Sequence, residues 1–255
     1  LAYHKSTSIY KKMAKESHQD WLLKTGIHAK AFPVKNEIIS LRLGEISGHP
    51  SIESEEFNLG EKISPFFNSG ICIDGKFTSI KTKPKESKIF PLKNVLLSDE
   101  EIASEYFIDD TPLEKEIVKK QIDRESIAIK STLDMWKYLK GRKNEERTNK
   151  TLGFKYKYAE GSMSYPDSLD KPSRTIITGE GGKSPSRFKH VIFKNGKHRR
   201  LTPIELERLN MFPDNHTSLE GITAAKRAFF MGNALVIGIV ERLGLELNKQ
   251  INESL

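Results

Sequence analysis

The segment 224–243, AAKRAFFMGNALVIGIVERL, constrains this chain more than any other. Its residues favour a helix, and between Ala228 and Val240 that helix would be apolar almost all round, so it needs cover on several sides rather than along one stripe. The rest of the chain supplies ordinary material: of 255 residues, 36% are hydrophobic and 30% charged, which suits a globular protein of one or two domains. The cover comes either from this chain's own core or from another domain or subunit, because an apolar face left open marks an interface. The most apolar run inside it, FFMGNALVIGIV, is shorter than the roughly 20 residues a membrane-spanning helix needs. The N-terminus lacks the charged-then-apolar pattern of a signal peptide, so no membrane partner is expected. The chain begins at Leu1 rather than Met, which points to a processed chain or a piece of a longer one.

Charge gives the second constraint. The formal net charge is +8, and a basic surface favours a polyanion because binding phosphates releases condensed counterions. The charge is unevenly placed. Residues 98–116 hold eight acids and one lysine and read as a solvated helical face. Ser98 with Glu101, and Thr111 with Glu114, have capping-box spacing, and Pro112 suits a first helical position, so two helix starts are predicted. Between Lys137 and Lys157 the balance reverses, with eight basic residues against Glu145 and Glu146; a short helix is expected there, running into a basic loop at Gly141. Residues 181–200 contain seven Lys or Arg and no acid.

Local patterns place the remaining elements. SIYKKMAKESHQDWLLKTG reads as one helix, with Ile9, Met13 and Leu22 among its apolar positions and Gly26 as its C-terminal cap. Two β-rich runs flank Asp74-Gly75, and two more flank Asn195-Gly196; each dipeptide tolerates the positive φ angles of a tight hairpin turn. SRTIIT, 173–178, is a strand candidate, and the glycine-rich GEGGKSPSR follows it. A flexible loop next to a basic hairpin suits nucleic acid, with cations on phosphates and loop polar groups reaching base edges. The same features suit solvated strand ends. The lone cysteine, Cys72, rules out an internal disulfide and reads as a buried strand residue rather than a nucleophile. His190 and His198 lack acidic or cysteine neighbours in sequence, so solvated or phosphate-facing roles are expected instead of metal ligation.

The stretch KHRRLTPIELERLNMFPDN, 197–215, specifies a compact helix: Thr202 as cap, Pro203 at the first position, Glu205 reaching back, and Pro213 preventing continuation. This stretch, with the later MGNALVIGIVERL, resembles the closing two sequence blocks of the DNA (cytosine-5) methyltransferase family. The first is carried here by Arg199 or Arg200, Leu201, Thr202, Glu205, Phe212 and Pro213, and the second by Gly232 and Asn233. KPSRTIITGEGG resembles the end of that family's target-recognition region, where Thr175-Ile176 matches a recurring Thr–aliphatic pair. Met211 departs from the pattern, which has glycine before Phe-Pro.

The resemblance implies a DNA-recognition half of an enzyme that methylates cytosine C5 in duplex DNA from S-adenosylmethionine. The family's glycine-rich cofactor loop, its Pro-Cys nucleophile and its Glu-Asn-Val block have no counterpart here. The implied catalytic residues in this chain are therefore none, with activity expected only beside an N-terminal catalytic domain or subunit. The fold expected is α+β: an irregular mixed target-recognition domain with β-hairpins, plus C-terminal helices that would complete a Rossmann-like methyltransferase domain. The corresponding segments are 1–30, the tail of a catalytic-domain strand and helix; 31–200, target recognition; and 201–255, the closing helices. Gly232 and Asn233 are the implied cofactor neighbours, most of the cofactor being held by the missing half. Arg174, Thr175, Ile176, Lys183, Arg187, Arg199 and Arg200 are the candidate DNA-contacting residues, and no metal is implied. A bacterial, cytoplasmic, DNA-associated setting in a restriction–modification system follows from the same resemblance. A stand-alone subunit of a split methyltransferase, and a basic nucleic-acid-binding protein without enzymatic role, remain open at this point.

Overall fold

In the computed structural model, residues 2–46, 48 and 66–253 are described. The chain divides into two compact units, one made of Leu1–Lys88 with Ile239–Leu255, the other of Ile89–Gly238. The chain passes from one unit to the other at 88/89 and again at 238/239.

In the first unit, α1 (Ser8–Lys15) is capped by the Thr7 hydroxyl and buries Ile9 and Met13. The single helix expected as far as Gly26 does not form. Glu16 is extended, and the chain restarts as α2 (His18–Asp20) and a π-turn, Trp21–Thr25, that buries Trp21. Gly26 is not a left-handed cap either, since its φ is −69°. It is needed because a Cβ there would lie 2.4 Å from the Trp21 carbonyl oxygen. α3 (Ile27–Ala31) follows and buries Ile27, Ala29 and Ala31.

The strands β1 (Ser40–Glu45), β2 (Ser69–Ile73) and β3 (Lys76–Lys81) form an antiparallel sheet in the order β1-β3-β2. The β2–β3 turn is the expected one, with Asp74 at φ 49° and Gly75 at φ 81°, the geometry that matches the twist of paired strands. Cys72 lies in β2 but is exposed, contrary to expectation. Alternation explains it: Ile71 points into the core, so its neighbour points out. The core joins Ile9, Met13, Trp21, Ile27 and Ile71, with Leu243 and Leu247 packed on it.

The second unit is a mixed body of short sheets and helices. Strands β4 (Phe107–Ile108), β9 (Val191–Lys194) and β10 (Lys197–Arg200) form a sheet in the order β4-β10-β9. The hairpins β5–β6 (Pro112–Lys119, Ile127–Ser131) and β7–β8 (Lys143–Thr148, Lys155–Glu160) stand as separate pairs, joined by α4 (Thr132–Lys140). The β9–β10 turn has Asn195 at φ 49° and Gly196 at φ 78°, as its sequence predicts. α5 (Pro203–Leu209) carries the expected capping box. Its Leu206 joins a core of Leu92, Val95, Ile176, Ile192, Leu201, Ala228 and Met231.

Four local expectations fail. The Ser98–Glu101 capping box forms but closes only one 3-10 turn, Asp99–Glu101. The second predicted helix start, at Pro112, is strand β5, because Ile127–Ser131 pairs with it and tertiary pairing overrides a local cap signal. The basic loop after Gly141 is strand β7, paired over six residues with β8. The stretch 173–178 finds no strand partner and runs as irregular chain, with Ile176 buried.

The closing apolar segment is two helices, α6 (Ala224–Asn233) and α7 (Ile237–Asn252), separated at 234–236. By length and composition alone 224–252 is apolar enough to cross a bilayer, which the 12-residue run did not suggest. The interruption weighs against that, because freed backbone groups have no partners in lipid. Phe229, Leu235, Ile239, Val240, Leu245 and Ile251 are exposed. Mixed helix and antiparallel sheet agree with the α+β expectation.

Candidate nucleic-acid interface

The glycine-rich loop 179–187 precedes the β9–β10 hairpin, and two nearby basic residues, Lys189 and Arg200, hold its backbone. The Lys189 ammonium donates to the carbonyls of Gly182, at 2.9 Å, and Ser184, at 2.7 Å. The Arg200 guanidinium donates to the same Gly182 carbonyl at 2.7 Å and to the Glu105 carbonyl, and it stacks over the Tyr106 ring. Burial lowers the pKa of both side chains. Gly182 sits at φ 84°, where a side chain would strain the backbone. At Gly181 a Cβ would lie 2.7 Å from the Ala225 carbonyl oxygen, so the loop's backbone approaches α6 closely.

Glu180 anchors the loop's start. Its carboxylate accepts the His190 backbone N–H at 2.6 Å and lies 3.0 Å from Nδ1 of the same residue. The other ring nitrogen meets Ser173 Oγ at 3.0 Å. His190 is thus wholly buried in a polar cage, neither solvated nor facing a phosphate. Its sequence isolation from acids hid Glu180, ten residues away. His198 lies between the Tyr165 and Phe193 rings, and burial lowers its pKa. Among the described residues no cluster of His, Cys, Asp or Glu could hold a metal ion.

The predicted contact residues fall into three groups. Arg174 and Arg187 are committed internally. Arg174 forms a two-point pair with Asp167, at 2.6 and 3.1 Å, and donates to the Phe188 and Lys189 carbonyls. Arg187 pairs with Glu160 at 3.1 Å and donates to the Gly161 carbonyl at 2.6 Å. Arg199 is buried against Glu205, with two hydrogen bonds at 2.7 and 2.9 Å, so it cannot reach a phosphate in this conformation. Arg200 belongs with these, bound to the Gly182 and Glu105 carbonyls. Lys183 and Thr175 are exposed, Lys183 in a surface ion pair with the exposed Glu105 at 3.3 Å, which is weak enough for a phosphate to replace. Ile176 is core.

Asp167 and Lys140 are site-supporting residues that sequence reasoning missed. Asp167 also accepts the Val191 N–H at 2.9 Å, and Lys140 Nζ lies 3.7 Å from it. Burial pushes the Asp167 carboxyl up, but Arg174 and the neighbouring cations outweigh it and hold it below the usual carboxylate range. Burial pushes the Lys140 ammonium down to about 8. A lysine at the end of a basic helix carries no sequence signal of such burial.

The two implied cofactor neighbours, Gly232 and Asn233, both make local contacts within this chain. A Cβ at Gly232 would lie 2.4 Å from the backbone of Ile177 and Thr178, so this glycine serves the packing of α6 against that segment. Asn233 is exposed at the end of α6, its amide donating to the Phe229 carbonyl at 3.1 Å. Met211, where the resembling pattern has glycine, adopts φ 63°; the turn after α5 needs a left-handed residue, and this chain accepts methionine there.

The family model for C-5 cytosine-specific DNA methylase matches residues 69–249. The chain is also 34% identical over 242 residues to the Type II methyltransferase M.Sau3AI of Staphylococcus aureus. That match covers 94% of this chain and 51% of the relative, so the chain spans about half the length of the curated relative it matches.

Proposed function

Because this chain belongs to the C-5 cytosine-specific DNA methylase family, we propose that it is the DNA-recognition half of a methyltransferase that modifies cytosine C5 in a specific duplex sequence. The observation that carries the reading is the loop 179–187. Lys189 and Arg200 tie down its carbonyls and Glu180 its start, while Lys183 is left outward. A loop ordered before binding loses less conformational freedom on meeting DNA, which favours affinity and a fixed register. Lys183 and Thr175 are the side chains best placed to touch the duplex. Arg174, Arg187, Arg199 and Arg200 act as the frame.

The catalytic residues lie elsewhere in the enzyme. That Cys72 has no preceding proline and sits on a hairpin strand in the first unit supports this reading. S-adenosylmethionine, the family's methyl donor, is held in the main by the other half, a reading supported by the local contacts of Gly232, packed on Ile177 and Thr178, and of Asn233, which donates to the Phe229 carbonyl. Moving a cytosine out of the stack costs a few kcal/mol, and the clamped loop supplies contacts that help offset it. The setting is the DNA-associated cytoplasm of a bacterium, in a restriction–modification system, with the exposed residues of α6 and α7 meeting the catalytic half.

The test is transfer of a labelled methyl group from S-adenosylmethionine to duplex DNA, by this chain alone and with the polypeptide carrying the catalytic half. No transfer alone and 5-methylcytosine with both is the expected result. Transfer by the chain alone would refute the division of roles.

A further inference from the structure

The β7–β8 hairpin lies outside the loop just described. We propose that it is a second DNA-contacting arm, with Lys150 and Lys157 on backbone phosphates and Leu152 and Phe154 in apolar contact with the groove; this rests on the DNA-recognition reading above.

The arm's base is fixed and its tip is ordered. Lys143 and Arg187 both pair with Glu160, at 2.6 and 3.1 Å, and Arg187 also donates to Gly161, so the root of the hairpin is joined to the end of the loop 179–187. Six paired residues then carry the chain away, a reach of about 20 Å at roughly 3.4 Å per residue. At the tip the Asn149 side chain accepts the N–H groups of Thr151 and Leu152, at 2.9 and 2.8 Å. The Asn149 backbone exchanges hydrogen bonds with Phe154 and Gly153, and Gly153 takes φ 73°. This turn is specified, yet it presents Leu152 at 74% exposure and Phe154 at 52%.

Chemistry selects the occupant. Residues 147–157 include Arg147, Lys150, Lys155 and Lys157 and no acid. Arg147 is committed to Glu145 and to the Tyr158 ring, and Lys155 makes a surface ion pair with Glu146. Lys150 and Lys157 have no ion pair among the described residues. A protein surface covering this tip would have to desolvate those two charges and supply acids for them. A duplex supplies phosphates on both sides of a groove whose sugars and base edges accept apolar side chains.

The experiment is the salt dependence of binding to a labelled duplex, on the full polypeptide and on its Lys150→Ala/Lys157→Ala variant, both positions being exposed. Each phosphate contact contributes about 0.9 to the log–log slope, so the variant's slope should fall by roughly 1.8, shrinking the affinity ratio between about 50 and 200 mM salt by about tenfold. Preference among sequences should stay unchanged, because phosphate contacts carry no sequence information. Leu152→Ser should weaken binding at every salt concentration and leave the slope alone. An unchanged slope in the double variant overturns the arm while leaving the recognition reading intact. Loss of binding to anionic vesicles with DNA binding untouched would make it a membrane contact, and also overturns it. A parent protein that fails to bind DNA sinks both this proposal and the function it rests on.

Discussion

Arg199 offers the sharpest contrast between a surface cation and a structural one. It is the third residue of the basic run KHRR, yet its guanidinium is 1% exposed and donates twice to Glu205, which is 0% exposed. Glu205 also accepts the backbone N–H groups of Leu97, at 3.0 Å, and Thr202, at 2.8 Å. Arg199→Met would leave that carboxylate buried with two backbone donors and no counter-charge. Breaking a buried pair from one side costs about 3–5 kcal/mol, a large share of the roughly 5–15 kcal/mol that holds a domain together. Glu205→Met strands the arginine and frees both N–H groups, so it should cost at least as much. The double Met variant removes both charges, and its loss should fall short of the sum of the singles by about 2 kcal/mol or more. Urea unfolding measures this in a Trp21→Phe background, where the buried Trp136 reports the second unit alone. The reasoning is refuted if Arg199→Met keeps parental stability within about 0.5 kcal/mol while lowering the DNA salt slope by about one, for then Arg199 would be a phosphate contact.

Other expectations are as direct. Gly232→Ala places a Cβ 2.4 Å from backbone atoms of Ile177 and Thr178 and should cost at least about 1–3 kcal/mol, visible as a lower melting temperature without any cofactor present. Met211→Gly relieves a left-handed methionine and should be neutral to stabilising by up to about 1 kcal/mol in the same melt. At Glu207, burial raises the carboxyl pKa, but hydrogen bonds from Thr217 and Arg227 outweigh it and depress it overall. Its stabilisation is therefore present above the ordinary glutamate pKa and lost as pH falls through the folded value; Glu207→Gln should flatten that acid limb in urea titrations. Lys140 is the reverse case of a cation, lowered to about 8 by burial. The unfolded chain binds the extra proton between about pH 8 and 10.4, so stability should rise across that window, and Lys140→Met should remove the rise.

The sequence was legible where local chemistry decides the structure alone. Asp74-Gly75 and Asn195-Gly196 made their turns, and Thr202 with Glu205 made its capping box, because each needs only its own few residues. It was misleading where a distant partner decides. The Pro112 helix signal gave way to pairing with Ile127–Ser131, and the basic stretch after Gly141 became a strand because Lys155–Glu160 lies against it. For the interface, charge identified the region but not the role of each cation. Arg174 and Arg187 read as contacts because Asp167 and Glu160, their partners, are 7 and 27 residues away, a separation no local pattern displays. The apolar 224–243 segment showed its need for cover, but the break at 234–236 carried no proline to announce it.

The central claim is that this chain reads DNA sequence, and selection from a pool of randomised duplexes tests it most directly. Enrichment of one short cytosine-containing sequence by the purified chain, weakened by Lys183→Ala, is the predicted result. Binding that retains every sequence equally, or none at all, would contradict it.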